Sequence, residues 1–422
     1  MKPTRIRFQA SGFLFMLAAV TYLDRVCIST LAPQISRDLG LSKLQMGYVF
    51  SVFAVAYASL EIFSAWWGEK IGARRVLARI VIWWSAFTMA TAGAWNLPSL
   101  LIIRFLFGAG EAGAWPNAAL AFSRWIPLRE RGRVQGFFFA AAHVSGGITP
   151  LLVAWLLAFL PWRGVFVLCG FIGVIWAAAW SRWFRDEPRH HPRVNQAEAL
   201  LIESERRIAN GAHHGKALWR ALAGSPNVWC LCLAYLSNSY GAYFVMTWLP
   251  TYLAENRGFE KQSLSLFAGL PLLLSVFGDI GGGAVTDWAS GVFGLRLGRA
   301  AVSVAGYALA AAAMFAAVYA ATPVMAASLI AVAVAASMFT LSPSWAACMD
   351  IGGEHTAVLS AAMNTTGQVG SILSPVVTGY VVYRFADWQT PLLIMGGLYS
   401  ISAILWTRVD PRQPLRPAQP AV

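Results

Sequence analysis

The sequence predicts an all-α polytopic membrane protein, with twelve transmembrane helices in two pseudo-symmetric six-helix bundles. Three observations predict it. Hydrophobic residues make up 58% of the 422 residues and charged residues only 12%, with a mean hydropathy of +0.57. A soluble domain carries about 25% charged residues. Apolar stretches of about 20 residues, long enough to span a bilayer, recur twelve times. One long polar stretch divides them six and six.

The apolar segments fall near 12–33, 44–67, 77–95, 98–122, 135–158 and 164–183, then 227–252, 264–286, 300–320, 324–347, 358–384 and 390–407. Residues 1–184 therefore form the first bundle, 185–225 a central loop, 226–410 the second bundle and 411–422 a tail. The basic start and apolar run resemble a signal peptide, but the run is too long and lacks a small-residue cleavage site. It is expected to stay as the first helix. Halfway along it sit Asp24 and Arg25. Burying either charge in hydrocarbon costs about 3 kcal/mol, so each needs a partner or a ligand. Neighbours on a helix point about 100° apart, so these two must look to other helices.

Lysine and arginine set the orientation. Of the 32 basic residues, 24 fall at the termini, the central loop and the loops on the same side, and 6 on the other. The excess predicts cytoplasmic termini and a cytoplasmic central loop. It also accounts for the net charge of +13 without nucleic acid as a partner. Arg25 and Arg104 are the two basic residues left inside the membrane. Cys27, Cys169, Cys230, Cys232 and Cys348 lie in or beside apolar segments with no CxxC pair, which points to packing, with no metal or cofactor expected. His190, His191, His213 and His214 belong to the central loop, where a solvated surface is the plain reading and a metal pair the sharper one. Trp66, Trp67, Trp95, Trp125 and Trp388 stand near segment ends, as interface anchors do.

The halves repeat. Ala65-Trp66-Trp67-Gly68-Glu69 with Arg74 and Arg75 follows the second segment, and Gly283-Ala284-Val285-Thr286-Asp287 with Arg296 and Arg299 follows the eighth. A small residue lets helices approach, and the acid and bases make cytoplasmic contacts that can break. Such repeats imply alternating access around a midplane site.

The fourth segment adds Arg104 and Glu111, seven residues apart and so on one face, about two turns or ~10 Å from each other. Gly108, Gly110 and Gly113 thin this helix for approach by the first helix, and Pro116 is expected to bend it. A static charge lock among Asp24, Arg25, Arg104 and Glu111 is the plain alternative, though buried charge is a poor source of stability. Glu61 follows Tyr57 by one turn and shares its face. His143 is the one histidine inside a span, and imidazole as a residue type suits proton relay as well as cavity lining. In the second half Tyr235, Asn238 and Asn364 supply neutral hydroxyl and amide groups suited to a polyol, or to hydrogen bonds between helices. Asp279, eight residues before Asp287, reads as structural.

Twelve spans, the central loop and the loop around Glu69 resemble the major facilitator superfamily. Ala65 stands where that pattern has glycine, and Glu69 where it has aspartate. Tyr22-Leu23-Asp24-Arg25, Arg104 with Glu111, the Trp248–Leu253 stretch, Asp350-Ile351-Gly352-Gly353 and the run from Asn364 to Pro375 resemble the anion:cation symporters. That group includes bacterial hexuronate, galactonate and glucarate transporters, with sialin and the vesicular glutamate transporters as animal relatives. The resemblance implies that Asp24 and Glu111 exchange protons. It also implies that Arg25 and Arg104 recognise the substrate with Tyr57, while Glu69, Arg74, Arg75 and Asp287 form gating loops; Tyr235, Asn238 and Asn364 join the substrate groups on their neutral polar chemistry. Relatives often carry an amide where this chain has Glu61, which makes Glu61 and His143 further relay candidates.

The expected function is proton-driven symport of a small organic anion into the cell, with a sugar acid such as an aldonate or hexuronate as substrate. The chain lacks a GxxxxGK[ST] loop, so an ion gradient is the natural energy source. No nucleophile, metal cluster or acid–base pair has spacing suited to an enzyme. Sodium coupling, exchange of another carboxylate (a dicarboxylate or an aromatic acid), and a membrane sensor are the alternatives. A monomer in the cell membrane is expected, the inner one in a Gram-negative bacterium.

Overall fold

The computed structural model describes residues 3–41, 43–204, 216–249, 252–259 and 261–415. Glu205, Arg206, Arg207, His213 and His214 of the central loop, Pro250 and Thr251 of the seventh segment, and Arg416 with the end of the tail lie outside the described residues. Among the described residues there are helices and turns but no strand. The helices are α1 (Ile6–Leu39), α2 (Lys43–Ile71), α3 (Ala73–Thr91), α4 (Leu97–Glu111), α5 (Ala114–Trp125), α6 (Arg131–Leu156), α7 (Trp162–Trp183), α8 (Gln196–Ser204) and α9 (Lys216–Gly224). There follow α10 (Pro226–Thr247), α11 (Lys261–Phe293), α12 (Leu295–Val318), α13 (Pro323–Met338), α14 (Leu341–Gly352), α15 (Thr356–Phe385) and α16 (Gln389–Arg408).

Eight stretches are long and apolar enough to cross a membrane, and the one over Pro323–Val382 holds two spans. Helices α3, α6 and α10, of 19, 26 and 22 residues, have the length and bring the spans to the expected twelve. Ends are set locally. Asn96 accepts from the Ser99 amide while the Ser99 side chain returns the bond, a capping box that starts α4. Ser225 and Thr322 cap α10 and α13 ahead of a proline at each first turn.

The fourth and tenth spans are each split in two. The fourth breaks at Ala112–Gly113, where Gly113 adopts φ 88° in the left-handed region. Pro116 therefore does not make the bend; it sits in the first turn of α5, where its missing N–H is harmless. The tenth span breaks at Phe339–Thr340, between α13 and α14. Equivalent breaks in the two halves express the internal repeat in backbone form.

Two compact units emerge, and their edges differ from the sequence boundaries. The first comprises Met1–Pro127, Ala141–Ile208 and Glu354–Ala361. The second comprises Leu128–Ala140, Ala209–Gly353 and Ala362–Val422. A short segment of each sequence half thus belongs to the other half's unit, and the central loop is shared between them. The part of that loop in the first unit is docked at Glu198 and His191, while His190 is exposed, as the solvated reading expects. Buried Glu198 accepts from the amides of Ile6 and Arg7 and from Thr4 and Arg7 side chains, at the start of α1. His191 is buried against the rings of Trp125 and Trp183. Burial and the charges of Arg185 and Arg193 push its pKa below the ordinary histidine value. Trp125 and Trp388 are buried, so neither anchors a membrane interface, whereas Trp95 is exposed. All five cysteines are buried and free.

Candidate functional site

In the first unit the charges of α1 and α4 meet crosswise. The Arg25 guanidinium binds the Glu111 carboxylate, its Nε lying 2.5 Å from Oε1. Asp24 points the other way, as successive helical residues must. Its surroundings are Arg104 and Glu111 of α4 with Trp84 and Thr88 of α3, yet neither carboxylate oxygen completes a hydrogen bond. The second Glu111 oxygen and the Arg104 Nε are buried without partners as well. Exposure separates the two cations: the Arg25 side chain keeps 25% of its surface, whereas the Arg104 residue keeps 4%. Arg25 is the more exposed of the two charges.

Aromatic faces surround both guanidiniums. Arg25 Cζ stands 5.9 Å from the Tyr22 ring, 5.1 Å from Phe53 and 5.0 Å from Tyr57. Arg104 Cζ stands 5.3 Å from Phe53 and 4.4 Å from Phe107. Tyr57 and Glu61 share a face of α2, and the phenol donates to Glu61 at 3.4 Å. Tyr22 also meets His143 and Trp115 edge-on, at 5.9 and 6.0 Å between ring centroids. His143 therefore sits one ring away from Arg25. The α4 glycines do not admit the first helix. A Cβ on Gly108 would come within 2.6 Å of the Phe53 carbonyl of α2, and one on Gly110 within 1.8 Å of the Trp83 ring of α3. Spacing identified the thin face of α4 but not its neighbour.

The second unit holds the neutral candidates, and they are engaged. The Asn238 amide donates to the Ser337 carbonyl at 2.7 Å, and the Tyr235 oxygen accepts from the Trp345 indole at 3.3 Å. Asn364 is 8% exposed.

The repeated loop acids do matching work, each within one unit. In the first, Glu69 accepts from the Val358 amide at 2.8 Å and lies 3.3 Å from His355 Nδ1, at the start of α15. In the second, Asp287 accepts from the amides of Gly132 at 2.9 Å and Arg133 at 2.7 Å, at the start of α6. Each carboxylate occupies a helix N-terminus, where the free amides and the dipole favour an anion. Arg299 bridges Asp287 and Asp350, and Arg131 reaches Asp350 at 2.7 Å, all buried. Arg74 holds the Asp186 carboxylate through its backbone amide and the Ser181 carbonyl through its guanidinium, while Arg75 is exposed. Removing one partner from such a buried network costs about 3–5 kcal/mol. Asp287→Ala is therefore expected to lower the melting temperature in detergent clearly, and Arg75→Gln to leave it unchanged.

Comparison with known proteins follows the same lines. A family model described as Major Facilitator Superfamily matches residues 14–375. A protein of Cupriavidus necator, described as a probable sulfoacetate transporter, is 33% identical over 416 residues, covering 96% of this chain and 94% of that protein. A probable galactarate/D-glucarate transporter of Bacillus subtilis is 28% identical over 420 residues, covering 96% and 91%. Among solved structures, a proton:xylose symporter aligns with a TM-score of 0.74 at 14% identity, over 97% of both chains. That likeness speaks for the fold.

Proposed function

This chain belongs to the major facilitator superfamily, and within it we propose a proton-coupled symporter that carries a small organic anion into the cell by alternating access. It is a multi-pass membrane transporter, not an enzyme. One observation carries the proposal: Arg25, the more exposed cation, is held by Glu111, an acid that can take up a proton. When Glu111 is neutral its hold on the guanidinium weakens, and an incoming carboxylate or sulfonate can take its place as a bidentate partner. Proton uptake then favours substrate uptake, and release of one favours release of the other. Asp24 beside Arg104 forms a second acid–base pair on the same two helices, supporting a further proton site. Glu69 and Asp287, seated on helix N-termini, serve as the gates whose contacts break and reform.

A sugar acid is the first substrate class, in line with the galactarate/D-glucarate relative. A short sulfonated carboxylate is the second reading. Asn238 spends a donor on the Ser337 carbonyl and Tyr235 an acceptor on the Trp345 indole, which leaves fewer polar groups for a polyol. The sulfoacetate relative supports the same class. Uptake into proteoliposomes across sugar acids, sulfonates, dicarboxylates and aromatic acids decides between them. An imposed gradient, acidic outside, is expected to drive accumulation, and a sodium gradient is not. Accumulation that follows sodium and ignores the pH gradient overturns proton coupling. We further propose a monomer in the cell membrane, with both termini on the cytoplasmic side.

A further inference from the structure

We propose that Phe53 is a positioning residue for anion capture, its ring holding the Arg25 guanidinium ready whenever neither Glu111 nor a substrate binds it. The inference rests on Arg25 being the anion-binding group. Phe53 is the one ring, among the described residues, that lies beside both membrane-embedded arginines, 5.1 Å from Arg25 Cζ and 5.3 Å from Arg104 Cζ. Its own position is fixed by packing. The Phe53 ring meets Tyr57 at 5.8 Å and Phe107 at 5.6 Å, and its backbone runs so close to Gly108 that a Cβ there would clash.

A guanidinium that passes from a carboxylate to a substrate anion needs a resting partner that attracts it without competing for it. A neutral aromatic face does this: it draws the cation electrostatically, most strongly away from water, and carries no charge to displace. It also stands against two like charges whose mutual repulsion would otherwise drive Arg25 out of place. With an aliphatic side chain at position 53, Arg25 keeps the Tyr22 and Tyr57 rings but loses the face it shares with Arg104, and is held more by Glu111. Capture of substrate should suffer more than the speed of the transport cycle.

The test uses the full chain in proteoliposomes, with sulfoacetate and D-glucarate as probes. Phe53→Leu is expected to raise the half-saturating concentration about tenfold with maximal rate nearly unchanged, and Phe53→Tyr to restore it to within about twofold. Equal losses in both variants, or a lower melting temperature with unaltered half-saturation, overturn the proposal. Arg25→Gln, measured alongside, separates the two ideas. If it transports normally, the anion site is elsewhere and the role of Phe53 falls with it. If it is inactive while Phe53→Leu behaves as wild type, Phe53 alone is wrong. A substrate-free readout is the structure of Phe53→Leu combined with Glu111→Gln, where Arg25, with neither the carboxylate nor the Phe53 face to hold it, is expected to have moved from its place beside the rings; an unmoved guanidinium overturns the proposal.

Discussion

An Arg25→Gln protein is expected to fold and to lose anion uptake. Truncating one side of a buried, charge-assisted pair costs about 2–5 kcal/mol, so binding should weaken by at least about 30-fold. The fold survives because the charge left behind is Glu111, a carboxyl that can neutralise itself by taking up a proton rather than remain buried as a bare anion. Arg25→Lys is expected to recover little. An ammonium lacks the planar fork that grips a carboxylate or sulfonate at two points, and it would lose much of the contact with the surrounding rings. Binding by titration and a melting curve on the same preparation check both halves of the expectation. Wild-type affinity in folded Arg25→Gln protein would move the anion site, with Arg104 next in line.

Much of the fold was legible because the bilayer enforces a single rule: a span must be apolar, helical and about 20 residues long. The twelve spans follow from that rule and the central polar stretch. The split in the fourth span was only half legible. Pro116 marked the right neighbourhood, but a proline in a first turn does not bend a helix, and the break depends on the backbone of Gly113. The charges Asp24, Arg25, Arg104 and Glu111 stood out because each is costly in hydrocarbon. Their pairing did not. Helical geometry says that Asp24 and Arg25 diverge, whereas only the packing of α1 with its neighbours decides that Arg25 takes Glu111.

Two kinds of residue escaped sequence reading altogether. Phe53 is one aromatic in an apolar run, and nothing local distinguishes a ring that faces two guanidiniums from one that faces lipid. The docking of Glu69 on Val358 joins positions 289 residues apart, and no local pattern encodes such a contact. Conversely, Asn238 looked like a substrate donor because a buried amide needs a partner, and the Ser337 carbonyl meets that need. The docked segment around Glu198 and His191 was hidden in the same way. Its polar composition suggested solvated loop, but the α1 amides give its carboxylate a better partner than water.

Neutral variants at the two acids are expected to separate coupling from binding. Asp24→Asn and Glu111→Gln should each abolish uphill accumulation under an imposed pH gradient. An amide imitates the protonated acid in shape and polarity but cannot release a proton, so the cycle loses the step that links substrate to gradient. The two should differ in what they retain. The Glu111→Gln protein no longer offers Arg25 a charged partner, so the guanidinium stays available to an anion and counterflow persists. Asp24 sits where neither of its carboxylate oxygens completes a hydrogen bond and where Arg104 is the nearby cation. Its replacement by an amide removes the counter-charge of a buried arginine, and loss of stability should accompany loss of coupling. Uptake driven by a pH gradient, counterflow without one, and a melting curve distinguish these outcomes. If both variants still concentrate substrate with wild-type dependence on the gradient, the proton travels elsewhere. Glu61, hydrogen-bonded to Tyr57, and His143, against Tyr22, are then the groups within reach of Arg25 that remain to carry it.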